Sequence, residues 1–181
     1  MNLILFFDKC KEKLTFEYRK YIIRKKINCT HSDFTVYGKI SLINHNIRLG
    51  KNVRIYPGVM LFGDGPIEIG DNVSIGNNTM IYASKNGGGI RIGDNSQIAA
   101  QSYIIDTNHG IARNELIKNQ PNTVLPISIG EDVWIAANVT IIKGSNIGDG
   151  AVIGAKSLVN GEIEPYSICV GIPAKKIKMR I

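Results

Sequence analysis

From Ile129 onward the chain sets an aliphatic β-branched residue at every sixth position: Ile129, Ile135, Ile141, Ile147, Ile153 and Val159. In a chain that is 44% apolar, six such positions in a row would be apolar by chance about once in 140 registers. Four residues after the register positions stand Val133, Val139, Ser145, Ala151 and Ser157, all small or β-branched, and Gly130, Gly148 and Gly154 follow their aliphatic residues directly. The pattern recurs upstream at Leu49, Ile55 and Leu61, at Ile69, Ile75 and Ile81, and at Ile92, Ile98 and Ile104. Its small column continues through Val53, Val59, Val73, Thr79, Ser96 and Ser102. A period of six is neither the 3.6 of a helix nor the two of an ordinary strand, so it describes a short strand plus a turn, repeated.

Three such units close a triangular coil of eighteen residues. The aliphatic residue points inward, the small residue sits by the crowded corner, and stacked coils share one core. The sequence therefore predicts an all-β solenoid over residues 34–181. Nineteen glycines and 7% aromatics agree with short strands and tight turns. Successive coil starts at 49, 69, 92, 129 and 147 exceed eighteen by 2, 5, 19 and 0 residues. The extra residues fall around Gly63 to Pro66, around Asn86 to Gly89, and in one excursion from about Asp106 to Pro126. A long loop on a regular scaffold is where function concentrates.

The two ends differ from the repeat. Residues 1–33 mix Phe16, Tyr18, Tyr21, Ile22 and Ile23 with Arg19, Lys20, Arg24, Lys25 and Lys26, which predicts a basic helical cap. Such a cap either closes the solenoid as a solvated helix or docks on an anionic membrane. After Val159 the register fades into a closing segment, Ile168 to Pro173, followed by Lys175, Lys176, Lys178 and Arg180.

A net charge of +7 favours anionic partners. No recognition helix or aromatic platform points to nucleic acid. No apolar run reaches the ~18 residues of a membrane span, and Leu3–Phe7 is cut short by Asp8, so neither a transmembrane helix nor a cleaved signal is expected. Cys10, Cys29 and Cys169 are scattered and odd in number, as suits a reducing cytoplasm. His31, His45 and His109 supply no metal-ligand spacing.

The repeats, the loop Asp106-Thr107-Asn108-His109-Gly110, and the run Ile129-Gly130-Glu131-Asp132-Val133-Trp134-Ile135 with its Val170-Gly171-Ile172-Pro173-Ala174-Lys175 ending resemble the hexapeptide-repeat acyltransferases over about residues 35 to 181. Within that family they look most like the maltose, galactoside and polysaccharide O-acetyltransferases. The resemblance implies a left-handed parallel β-helix, a homotrimer with sites between prisms, and acetyl-coenzyme A as donor without a metal. It also implies direct acetyl transfer to a sugar hydroxyl in surface polysaccharide or lipopolysaccharide assembly. His109 matches the family's general base, and a neutral imidazole suits that role.

On the acceptor side the resemblance points to Asn78, Tyr82, Asp106, Asn108 and Trp134, with Asp106 orienting the imidazole. On the coenzyme side it points to Ala136, Ala137, Ala155, Asn160, Gly161, Lys175 and Lys178, with the Ala136–Ala137 amides as oxyanion donors. N-acetylation of a nucleotide-linked amino sugar, antibiotic inactivation and a non-catalytic binding solenoid are the competing readings.

Overall fold

The computed structural model describes residues 3–27, 29, 31 and 33–181, with side-chain surroundings from residue 14 onward, so the side chain of Cys10 lies outside what it describes. Parallel strands stack into three faces of a triangular prism. The first face runs Phe34–Val36, Val53–Ile55, Ser74–Ile75, Gln97–Ile98, Trp134–Ile135, Val152–Ile153 and Ser167–Val170. The second runs Ser41–Leu42, Met60–Gly63, Met80–Ala83, Tyr103–Ile105, Thr140–Ile142 and Leu158–Val159. The third runs Ile47–Leu49, Ile67–Ile69, Ile90–Ile92, Ile127–Ile129, Asn146–Ile147 and Glu162–Ile163. Strands of consecutive coils pair in register, so that Ile55, Ile75, Ile98, Ile135, Ile153 and Cys169 form one inward column.

The six-residue register is the core. Every register residue from Ile55 to Val159 is buried, and Leu49 is half-buried. Each fully buried isoleucine contributes about 1.5–3 kcal/mol. The small column is buried as well, and its hydroxyls bind backbone rather than water: Ser96 Oγ donates to Gly130 O (2.9 Å) and accepts from Val133 N (3.0 Å). The first coil is out of phase. Leu42 is buried and Ile43 is 63% exposed, although Ile43 lies six residues before Leu49. One extra residue in the turn between Leu42 and Leu49 shifts the period there, hiding this coil from the six-residue count.

All three insertions fall at the corner between the second and third faces, coil upon coil. The other two corners are regular. At the corner between the first and second faces, Gly58, Asn78, Gln101, Asn138 and Lys156 take positive φ, and each donates its amide to the corner below, as in Asn138 N to Ala100 O (3.0 Å). The corner between the third and first faces repeats the device with Asn52, Asn72, Asn95 and Asp132, and the first three of these stack their carboxamides at 3.0 Å per step.

The outward sides of the faces differ in chemistry. The third presents Arg48, Glu68, Arg91, Ser128, Asn146 and Glu162, with Arg48 paired to Glu68 at 3.2 Å. The second presents Met60, Phe62, Met80, Tyr82, Tyr103, Ile105, Ile142 and Leu158. Below the first coil the helix Leu3–Lys26 and the turn after it insert Ile23 and Ile27 into the core. At the other end Lys175–Met179 returns antiparallel along Ser167–Val170.

Candidate active site

The excursion is a built structure. Thr107–Asn108 pairs antiparallel with Thr123–Val124, and Thr107 Oγ1 donates to Thr123 O (3.3 Å). Inside, the buried Gln120 accepts from Ala112 N (2.6 Å) and donates to Ala112 O and Glu115 O (2.8 Å each). A Cβ on Gly110 would lie 2.7 Å from Gln120 Cβ, so only glycine lets the chain after His109 lie against that clamp. His109 leaves the hairpin one residue beyond its Asn108–Thr123 pair and is exposed.

Asp106 anchors the excursion and does not reach the imidazole. Its carboxylate is fully buried and accepts from Ser84 N (2.8 and 3.0 Å) and Gly89 N (2.7 Å), which corrects the expectation of acceptor binding or imidazole orientation. A turn whose amides converge needs an acceptor, and Asp106 lies directly above it, so the middle insertion buttresses the large one. Burial raises the Asp106 carboxyl above the ordinary range, with the Gly89 and Ser84 amides pulling the other way.

Apart from Trp134 and Lys178, the remaining predicted residues divide between two edges of the second face. On the edge shared with the third face lie His109, Asn108 and, two coils further, Asn160 and Gly161, with Tyr82 approaching it from the end of Met80–Ala83. Tyr82 packs edge-to-face on Phe62 at 4.8 Å. The opposite edge carries Asn78, Ala136, Ala137 and Ala155. Asn78 is a positive-φ corner whose carboxamide covers Gly58, a position with no room for a Cβ. Ala136 N donates to Ile153 O (2.9 Å), so of the two expected oxyanion donors that one is already used. The Ala137 amide has no partner among the described residues.

Trp134 projects from the first face, 54% exposed between buried Val133 and Ile135. It lines a cleft of about 290 Å³ with Gln97, Val152 and Arg180, whose guanidinium binds Asp132 at 2.8 Å. Lys175 pairs with Val170 at the first–second corner, whereas Lys178 pairs with Ile168, further along the closing strand. Sequence reading missed Gln120, which carries no motif, and Lys156, an exposed cation at the corner beside Ala155. His31 and His45 bind the carbonyls of Leu49 (2.8 Å) and Lys26 (3.2 Å). No metal-holding group of His, Cys, Asp and Glu occurs among the described residues.

Known proteins resemble this chain in sequence and fold. The family model "Bacterial transferase hexapeptide (six repeats)" matches residues 126–161, and "Hexapeptide repeat of succinyl-transferase" matches 66–105. The galactoside O-acetyltransferase of Escherichia coli (strain K12) is 33% identical over 175 residues, 96% of this chain and 84% of that protein. The putative lipopolysaccharide biosynthesis O-acetyl transferase WbbJ of the same organism is 34% identical over 144 residues, 74% of this chain and 71% of that protein. Among solved structures, a variant of AntD, an N-acyltransferase from Bacillus cereus in complex with dTDP-4-amino-4,6-dideoxyglucose and coenzyme A, superposes with TM-score 0.74 at 26% identity, covering 82% of this chain and 81% of that one. The chain belongs to the hexapeptide-repeat acyltransferases, the left-handed parallel β-helix family.

Proposed function

We propose that the protein transfers an acetyl group from acetyl-coenzyme A to a sugar hydroxyl, with His109 as general base, in surface polysaccharide or lipopolysaccharide assembly. The observation that carries this reading is the one long excursion from a regular wall, clamped by Gln120, anchored by Asp106 and presenting one exposed imidazole. Neutral His109 accepts the hydroxyl proton as the sugar oxygen attacks the thioester carbonyl. Collapse of the tetrahedral intermediate expels the thiolate, which takes the proton back from the imidazolium; the products are the acetyl ester and free coenzyme A thiol. The Ala137 amide is the donor left for the oxyanion. Asn108, Asn78, Tyr82 and Trp134 line the acceptor side, and Ala136, Ala155, Asn160, Gly161, Lys175 and Lys178, joined by Lys156, the coenzyme side.

All of these residues but Trp134 and Lys178, which lie on the first face, occupy the two edges of an outward apolar face, which supports a homotrimer. If the second face of each copy packs on the first face of the next, the contact closes a ring, covers the apolar side chains, and brings Trp134 and the alanine corner of one copy to His109 of another. Light scattering reporting a monomer overturns the shared site. No described helix is long and apolar enough to cross a membrane. We place the protein in the cytoplasm, with its basic helix toward the inner membrane face.

The test is thermal unfolding with and without acetyl-coenzyme A. A ligand bound only by the folded state stabilises by about 2.7 kcal/mol at a hundredfold excess over its Kd. The wild type should shift upward and Lys175→Ala/Lys178→Ala less; no shift in either removes the donor. The AntD likeness favours N-acetylation of a nucleotide-linked amino sugar as the second reading. There an acceptor amine loses its proton with less help, so His109→Ala should cost little, whereas O-transfer should be nearly lost.

A further inference from the structure

Between Leu14 and Ile27 the amino-terminal helix carries five cations, Arg19, Lys20, Arg24, Lys25 and Lys26, against one carboxylate, Glu17. Ile23 faces the solenoid core. On the outer side Leu14, Tyr18 and Tyr21 stand at 73%, 65% and 56% exposure, spaced four and three residues apart, so they form one apolar stripe. The Lys25 ammonium rides 5.9 Å from the Tyr21 ring centre, which places positive charge at the stripe's flank.

Beside the stripe, a cleft of about 160 Å³ opens between the helix and the first coil. Its floor is aliphatic (Ile22, Ile23, Ile40, Leu42), its rim is Arg19, Lys26 and Lys39, and no carboxylate lines it among the described residues. The third face is the contrast, for there Arg48 is answered by Glu68. Uncompensated cations around an aliphatic floor complement a phosphate attached to a hydrocarbon chain. Two copies of so basic a helix would repel each other, which disfavours a second copy as the occupant.

We propose that this helix and cleft dock the protein on an anionic bilayer, the Leu14–Tyr18–Tyr21 stripe entering the headgroup region and a lipid phosphate seated at the Arg19–Lys26–Lys39 rim. The coil bearing His109 lies three steps along the prism, about 14 Å at ~4.8 Å per step. The docking stands on the helix and cleft alone and is read without any acyl transfer.

The full chain is sedimented with vesicles of phosphatidylcholine alone or with one-third phosphatidylglycerol. The wild type should bind only the anionic vesicles, in a salt-sensitive manner. Arg19→Glu/Lys26→Glu and, separately, Tyr18→Ser/Tyr21→Ser should each weaken binding about tenfold or more, with thermal unfolding unchanged. A gain of signal guards against loss by misfolding: in a Trp134→Phe background, Tyr21→Trp should be quenched by bromine-labelled anionic lipid. Equal binding to both vesicles, or anionic binding that survives both double variants, overturns the proposal. So does a change of oligomeric state in the tyrosine variant, which gives the stripe to a second copy. Competition by inorganic phosphate at constant ionic strength gives the rim to a free phosphate and overturns the lipid.

Discussion

Two corners of the same prism follow opposite rules. Between the first and second faces, five successive turns hold a positive φ and bind each other amide to carbonyl, from Gly58 N–Lys39 O through Lys156 N–Ala137 O, with no residue added in any coil. Between the second and third faces there is no such ladder, and the turns range from two-residue links to an excursion running from Asp106 to Pro126. A corner whose amides are satisfied by the next corner cannot lengthen without orphaning them, and each buried orphan costs about 1–3 kcal/mol. A corner without the ladder lengthens at the price of loop closure alone, which grows slowly with length. The rigid ladder is thereby confined to one edge and the freedom to insert loops to the other.

The largest effect should come from the irregular edge without touching stability. His109→Ala should lower kcat by about two to four orders of magnitude while the unfolding temperature stays put; a parallel fall in stability would mean that the imidazole is structural. The regular edge should give the reverse. A Gly-Ser pair inserted after Asn138 breaks one rung of the ladder and should cost about 3 kcal/mol or more by chemical denaturation. The same pair after Asn86, in an exposed turn, should cost a few tenths, and equal costs would erase the distinction between the corners.

Gln120→Ala falls between these cases. It deprives Ala112 and Glu115 of three hydrogen bonds inside the excursion, so kcat should drop about tenfold with little change in the stability of the prism; a rise in KM alone would argue against a positioning role. The smallest effect is the pH dependence contributed by Asp106, which ties the two insertions together. A carboxyl whose pKa folding has raised holds its proton more tightly folded than unfolded, so its contribution to stability is full below the unfolded value and declines as pH rises through the folded one. The wild type's advantage over Asp106→Ala should therefore be larger near about pH 4.5 than near about pH 7.5, measured by urea unfolding at both.

The fold was readable because the period is a local property. An aliphatic residue every six positions specifies an inward column whatever lies far away, and each such residue from Ile55 to Val159 is buried. The outward position of Trp134 followed from the same alternation, since Val133 and Ile135 take the wall. The first coil escaped because one extra turn residue breaks the phase between Leu42 and Leu49. Asp106 was misread for a different reason. A carboxylate three residues from a histidine looks like its partner along the chain, but its acceptors are filled by amides of the preceding coil, 22 and 17 residues away.

By itself the sequence determined the solenoid, the length of each coil and the place where the wall opens, because these depend on burial repeated at a fixed spacing. Which corner receives every insertion, which face stays apolar on its outer side, and which edge each site residue occupies were decided only by the tertiary structure. Those properties arise when coils stack, since stacking sets residues about twenty positions apart side by side and turns a one-dimensional register into faces and edges.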